Sequence, residues 1–342
     1  MSIRLKTLVG AVAAAAVLAG PAIDAPARAQ NASYIMGTAG TGGTYYPVGV
    51  AIATLTSIRV TPQHGVGLSA ISSAGSGENV RLMREKQIQF SILQGIFGSW
   101  AWTGTGQLAS DGPQRNLRSV MQLWPNVEHF AIRRSFVKTG TMQDLVDMRG
   151  RGFAMGARNS GTEGSNRHLL QGLGIADPES HFNLQFLGFA PGSTAFQNGT
   201  VDAVNPGGGP PVGAHTQLAA AVGDQVVLLN WTDEQIRAAN GAFEGLWTPF
   251  VLPAGTYPGQ TQDVRTVGQP NFLAVNADVP DEHVYLITKA VFENLPFLNN
   301  IHPATEFIKL ETALDGLPMP LHPGAIRYYE ERGLTIPARL RP

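Results

Sequence analysis

Glycine beside Ser or Thr recurs at four places where a short apolar run gives way to a segment of helical period. These are Gly37 to Thr44, Ala74-Gly75-Ser76-Gly77, Asn159-Ser160-Gly161-Thr162 and Ala190-Pro191-Gly192-Ser193-Thr194. Such turns suit non-covalent binding. In an open parallel sheet a ligand sits beyond the carboxyl ends of the strands, where each following helix offers unpaired N–H groups and the positive end of its dipole. Glycine lets the backbone come close, and the hydroxyls cap the helix or reach the ligand. The same residues also have a local use. Ser160-Gly161-Thr162-Glu163 is a capping box as it stands, and Ser76 with Glu78 marks another helix start, so both glutamates are expected to bend back onto their own helices. A helix end contributes about 0.3–1 kcal/mol toward an anion and a charge-assisted hydrogen bond about 1.5–3, whereas micromolar binding needs about 8. Several turns must therefore converge on one enclosed ligand.

Signals for covalent chemistry are poor. No Gly-x-Ser-x-Gly elbow occurs, no Gly-Lys-Ser/Thr follows the glycines, and Gly40-Thr41-Gly42 fails the dinucleotide fingerprint because Tyr45 stands where the third Gly belongs. The eight His residues, at 64, 129, 168, 181, 215, 283, 302 and 322, lack the i, i+4 pairing of helical metal sites and read as structural or surface groups. With no Cys, thiolate chemistry, Cys-ligated metal and disulfides are excluded. Neither a metal nor a cofactor is expected. A secreted serine hydrolase using one of the glycine-turn serines is the rival reading; it needs a base within reach, and none is signalled.

Arg4 and Lys6 precede an apolar run from Thr7 to Gly20, then Pro21 and a small-residue stretch ending Ala27-Arg28-Ala29. The pattern predicts a secretory signal peptide over residues 1–29, cleaved near Ala29. The run is about 14 residues, short of the roughly 20 that cross a bilayer. Without residues 1–29, which hold Arg4, Lys6, Arg28 and Asp24, Lys+Arg falls from 24 to 21 and Asp+Glu from 25 to 24, a net charge of −3. That surface gives no counterion-release drive toward nucleic acid, which is not expected as a partner. Small solutes are favoured.

Apolar runs alternate with helical segments, as in α/β proteins with largely parallel sheets. Strand, turn and helix follow at Ser33–Gly37, Gly40–Thr44 and Tyr45–Ser57. Strand, helix, strand and helix continue over Gly67–Ser72, Ser76–Lys86, Ile88–Gln94 and Ile96–Trp102. Two strands, Leu117–Leu123 and Glu128–Arg133, flank Trp124-Pro125-Asn126 and suit a crossing between domains. The pattern then restarts, with strand Gly152–Gly156 leading into helix Glu163–Leu173. Gly37 and Gly156 are 119 apart and Ser76 and Ser193 are 117 apart, a near-constant offset that predicts two lobes on one plan. The first lobe is placed at 30–126 and 246–342, the second at 127–245. Glu306–Asp315 and Ala325–Gly333 read as scaffold helices. Trp100, Trp102, Trp124 and Trp247 read as core, with Trp247 alternatively lining the cleft.

Four motifs, in order, resemble a known group over nearly the whole mature chain. They are Gly37-Thr-Ala-Gly-Thr-Gly-Gly-Thr-Tyr-Tyr-Pro47, Ser160-Gly-Thr-Glu163, Gly255-Thr-Tyr-Pro-Gly259 and Leu321-His-Pro-Gly-Ala-Ile-Arg-Tyr-Tyr-Glu-Glu-Arg-Gly333. Together they resemble the solute receptors of TRAP transporters, TAXI family. The resemblance implies a periplasmic binding protein of type II-like two-lobe α/β fold, each lobe a central sheet flanked by helices. It also implies closure on a small organic acid, such as glutamate or 2-oxoglutarate, and delivery to a TRAP-type membrane permease. A sensory receptor for a signalling membrane protein is a third reading on the same fold. Carried over by position, Thr41, Gly42, Gly43, Thr44 and Tyr45 form one wall with Ser76 and Gln94, and Ser160, Gly161 and Thr162 form the other. Arg158 and Asn205 stand where the family pattern differs. Arg158 is expected either to pair a carboxylate at the cavity edge or to be solvated, and Asn205 is a further candidate contact.

Overall fold

The computed structural model describes residues 31–342 apart from positions 242 and 244. The expected signal peptide, residues 1–29, lies outside the described residues. Three parallel strands, β1 (Ala32–Gly37), β2 (Val66–Ile71) and β3 (Phe90–Gln94), begin the first sheet. They are followed by β4 (Leu117–Val127), β5 (Ala131–Arg133), β6 (Gly152–Ala154), β7 (Asn183–Gln185), β8 (Ala203–Val204), β9 (Val226–Leu228), β10 (Thr248–Leu252) and β11 (Val264–Asn276). The first sheet runs β10-β11-β3-β1-β2 with β4 on the other edge of β11, and the second runs β7-β6-β8-β5-β9.

The two sheets share a plan. In each, a central strand (β1 or β6) lies between two parallel neighbours, and an antiparallel strand (β11 or β5) pairs with the far neighbour. The expectation of largely parallel sheets therefore holds only for the β2-β1-β3 and β7-β6-β8 parts; the remaining pairings are antiparallel. Helices α1 (Tyr45–Arg59), α2 (Thr61–His64), α3 (Ser76–Arg84) and α4 (Gly95–Thr103) flank the first sheet. The second carries α5 (Met142–Val146), α6 (Gly161–Gly172), α7 (Pro178–His181), α8 (Phe189–Gln197), α9 (Gly213–Val222) and α10 (Asp233–Asn240). The chain then returns through α11 (Asp281–Glu293), α12 (Leu295–Asn299) and α13 (Pro323–Glu331) to the first. One apolar cluster fills the first lobe, and separate clusters fill the second.

Two long antiparallel strands tie the lobes together. β4 pairs with β11 from Leu117↔Asn276 to Val127↔Gly268, running unbroken through Trp124-Pro125-Asn126, where the sequence suggested two strands. Pro125 stands opposite Pro270, and the register shifts between Pro270 and Phe272. Neither proline has an N–H for the ladder, so the pair meets at an irregularity rather than ending the strand.

Two expectations need correction. Glu306–Asp315 is not a helix: a short 3-10 turn covers Pro303–Phe307, and the chain beyond runs along the outer edge of β4. There Gln122 N donates to Ala313 O (2.8 Å), Ser119 N to Pro320 O (2.9 Å), and His322 N to Ser119 O (2.9 Å). Satisfying that open strand edge outweighs the helical preference of the segment. Trp247 does not line the cleft; it is 1% exposed and packs against the core of the second lobe.

Where the crossing strands meet the second lobe, Val127, Ala219, Leu252, Tyr257 and Val264 pack together. Tyr257 Oη accepts from Val212 N (2.9 Å) and donates to His129 Nε2 (2.7 Å). His129 Nδ1–H then donates to Val127 O (2.9 Å), a chain of bonds that fixes one neutral tautomer. Burial, with His215 nearby, pushes His129 down to about 3, and burial alone pushes His215 down to about 4. Both are structural imidazoles. Tyr257→Phe leaves Val212 N and His129 Nε2 buried without partners, and a loss of about 1–3 kcal/mol is expected in urea unfolding. An unchanged midpoint would show that the junction does not rely on this network.

Candidate functional site

The C-terminal ends of β1 and β6 point toward each other, and the helix after each central strand and after its neighbour begins at the same place. Thr38 fixes the first turn: its Oγ1 donates to Ile71 O (2.6 Å), and its carbonyl accepts from Asn79 Nδ2 (2.7 Å). A Cβ at Gly37 would lie 2.6 Å from Asn79 Oδ1, so this tight tie requires glycine there. At α6, Ser160 Oγ accepts from Glu163 N (3.0 Å), and Glu163 Oε2 accepts from Asn159 N (2.8 Å). At α3, Glu78 Oε2 accepts from Ala74 N (2.6 Å). Both glutamates thus bend back onto their own helix starts.

Between the turns lies a cavity of about 210 Å³. Its wall includes the starts of α1 (Gly43 to Tyr45), α3 (Gly75, Ser76), α6 (Ser160 to Thr162) and α8 (Gly188 to Pro191). First-turn N–H groups have no intrahelical acceptor. Those of Tyr45, Ser76, Gly161, Thr162 and Ala190 have no other protein acceptor among the described residues. Gln94 is only 3% exposed and lines the cavity; its Oε1 accepts from Ser165 Oγ (2.8 Å), while its Nε2 has no protein acceptor among the described residues. No charged side chain lines the wall. The arrangement is therefore a cage of neutral donors from both lobes.

Glycines allow the lobes to meet. A Cβ on Gly161 would lie 2.8 Å from Gln94 Oε1 and 2.9 Å from Ser76 Oγ, and one on Gly77 would lie 2.5 Å from Asn159 O. Polar contacts cross the gap at the same points. Glu78 N donates to Asn159 O (2.9 Å), Ala214 N to Gly42 O (3.0 Å), and Thr44 Oγ1 to Gly209 O (2.7 Å). Tyr45 is buried, and its hydroxyl donates to Asn271 Oδ1.

Of the residues singled out from sequence, Thr41, Gly42, Gly43, Thr44, Tyr45, Ser76, Gln94, Ser160, Gly161 and Thr162 all line this one cavity. Arg158 and Asn205 do not. Arg158 is exposed, with its guanidinium 3.7 Å above the Phe186 ring centroid, a cation–π contact that holds it away from the cavity wall. Asn205 is 3% exposed; its Nδ2 donates to Glu128 Oε2 (2.6 Å) and Asn166 Oδ1 (2.7 Å), and its Oδ1 accepts from His129 N (2.6 Å). The Ala190–Thr194 turn also shifts. Helix α8 begins at Phe189, so Ser193 and Thr194 bond back to Ala214 O and Ala190 O, within their own lobe. Sequence reasoning missed Asn126, Phe189, Gly207 and Gly208 on the wall. For Asn126 the only signal was its place in the crossing segment, and Gly207 and Gly208 belong to the unusual run Asn205–Pro211.

Behind Gly207 lies Glu128, 1% exposed, with Oε1 accepting from Asn126 Nδ2 (3.3 Å) and Oε2 from Asn205 Nδ2. Burial pushes its carboxyl up to about 7, against the lowering effect of the two amide donors. The folded state therefore holds this proton more tightly than the unfolded chain, and stability falls as pH rises from about 4.5 through about 7. Urea unfolding near pH 5 and pH 8 is expected to show that decline in the wild type and a shallower one in Glu128→Gln. Identical slopes would mean that Glu128 ionises normally.

Comparison with known proteins agrees with this architecture. The chain is similar to the binding-protein component of an ABC phosphonate transporter from Pseudomonas aeruginosa, at 11% identity over 82% of this chain and 81% of that one, with a TM-score of 0.52. Similarity also extends to PhnD1 of Prochlorococcus marinus in complex with methylphosphonate, at 12% identity, 82% and 92% coverage and a TM-score of 0.49. A third similar structure is the periplasmic aliphatic sulphonate binding protein SsuA of Escherichia coli, at 14% identity, 90% coverage of each chain and a TM-score of 0.44. The fold is that of two-lobe α/β binding proteins. A family model matches residues 36–333, nearly all of the described chain, and on that match the protein belongs to the NMT1-like family.

Proposed function

We propose that this protein is a periplasmic solute receptor that captures a small organic acid between its lobes and presents the closed form to a membrane permease. The observation that carries the reading is the convergence of four helix starts, two from each lobe, on one cavity without charged side chains. A carboxylate placed there accepts several preorganised N–H bonds at once, which together reach affinities no single turn supplies. A solute held by both walls favours the closed arrangement by its differential contacts, and the permease reads that population. We assign the lobes to residues 30–126 with 246–342 and to 127–245. Export rests on the signal-peptide pattern of residues 1–29.

The permease assigned is of the TRAP type, on the four ordered motifs that resemble TAXI receptors, with glutamate and 2-oxoglutarate as the first solutes to test. Binding is favoured over hydrolysis by the state of the serines. Ser76 Oγ accepts from Gln94 N (3.1 Å), Ser160 Oγ caps Glu163 N, and no histidine lines the wall to serve as base.

A thermal-shift screen against mono- and dicarboxylates, amino acids and sugars tests this directly. At 100 times its dissociation constant a solute adds about 2.7 kcal/mol of stability. An organic acid is expected to raise the midpoint, whereas a response only to sugars, or to no solute, contradicts the reading. Gly161→Val is expected to keep the unliganded midpoint within a few degrees and abolish the ligand-induced rise, because its side chain props the lobes apart at Gln94 and Ser76. A full ligand-induced shift in that variant would show that binding does not need closure.

A further inference from the structure

The four helix starts around the cavity are not equivalent toward an anion. Helices α3 and α6 each carry an acidic residue in the first turn, Glu78 and Glu163, whose carboxylates already occupy their own starts. Helices α1 and α8 have none, and their starts face each other: a Cβ on Gly42 would lie 3.4 Å from Ala190 N, and one on Gly43 3.1 Å from the Phe189 ring. An anion therefore sits best between α1 and α8. On the α3 and α6 side, the buried Gln94 offers its unpartnered Nε2–H as a neutral donor.

The remaining wall is backed by a carboxylate. Gly207 lines the cavity, and a Cβ added to it would lie 2.8 Å from Glu128 Oε2, so the carboxyl group sits directly behind this glycine, with the wall residue Asn126 bonded to its other oxygen. Glu128 forms no ion pair among the described residues. It is held by the amides of Asn126 and Asn205 alone. The ionisable groups packed near it are Tyr45 on α1 and the adjoining His129, whose ring is committed to Val127 O and Tyr257 Oη. Arg265 of β11 turns away to Trp231 O and Asp233. On α6 the facing group is Asn166, and Glu163 is engaged by Asn159 N and Arg167.

We propose that Glu128 is a specificity-determining residue that limits the solute to a single net negative charge. The inference rests on the receptor reading above and narrows it. Once Glu128 is ionised, each extra negative charge on the solute meets a buried carboxylate behind Gly207 and Asn126, where the local dielectric is low and repulsion is strong. The Asn126 side chain, whose amide nitrogen faces Glu128, presents the same preference for neutral or donating groups at that end of the cavity.

Isothermal titration of the mature protein with 2-oxobutyrate, L-glutamate and 2-oxoglutarate decides it, because these carry net charges of −1, −1 and −2 throughout the range from about pH 6 to about pH 8. At about pH 8 the wild type is expected to bind at least one of the monoanions about tenfold or more tightly than 2-oxoglutarate. The ratio is expected to narrow in Glu128→Gln and, in the wild type, at about pH 6. If Glu128→Gln fails to fold, the wild-type pH comparison decides alone. Tighter or equal binding of 2-oxoglutarate, or a ratio that changes with neither pH nor substitution, overturns the proposal and leaves the receptor reading standing. Binding of none of the three acids, together with a negative screen, removes both.

Discussion

Two facing sets of backbone donors can share one ligand only if the chains that carry them approach within a solute's width, and in this protein glycine sets that distance. Gly42, Gly77 and Gly161 stand where a Cβ would meet the opposite lobe's Ala190 N, Asn159 O and Gln94 Oε1. Any larger residue at Gly77 or Gly161 holds the sheets apart by the thickness of a side chain. The crossing strands make this contact geometrically possible. β4 and β11 run side by side for most of their length and leave the lobes connected at the junction of Tyr257 and His129, while the turns at the far ends meet.

The electrostatic design follows from the same constraint. With no side-chain cation on the wall, the charge recognition proposed for this cavity falls to helix starts, and these are not equivalent. Two are already answered by their own glutamates and two are open, so the cavity is polarised from one side to the other. Glu128 deepens that asymmetry from behind Gly207. Such a cage gains from closure because the donors are fixed by capping bonds before the solute arrives, and little ordering is left to oppose binding.

How much of this was legible in the sequence depended on whether the signal was local. Strand-to-helix turns are local, so the Gly37–Thr44, Gly75–Ser76 and Ser160–Thr162 segments could be recognised, as could the inward curl of Glu78 and Glu163 that capping chemistry dictates. The common plan was visible because β1-α1-β2-α3-β3 and β6-α6-β7-α8-β8 follow the same order, but the pairing of Ser76 with Ser193 falls a turn off, since α3 begins at Ser76 and α8 already at Phe189. What escaped was decided by partners far away in the chain. Arg158 is claimed by Phe186, and Asn205 by Glu128 and Asn166. The segment after Phe307 is claimed by the open edge of β4, and Trp247 by the core of the second lobe. None of these contacts leaves a periodic or spacing mark. Asn126 and Glu128 were read as part of a crossing strand, which they are. Their place behind and beside the cavity emerges only when the two lobes are brought together.

Backbone amide exchange with the acid selected by thermal shift tests the shared cage most directly. Protection at Tyr45 and Ser76 in one lobe and at Gly161, Thr162 and Ala190 in the other is predicted to rise together on saturation. Protection confined to one lobe, or absent from all five amides while the solute is bound, would contradict a cavity closed by donors from both.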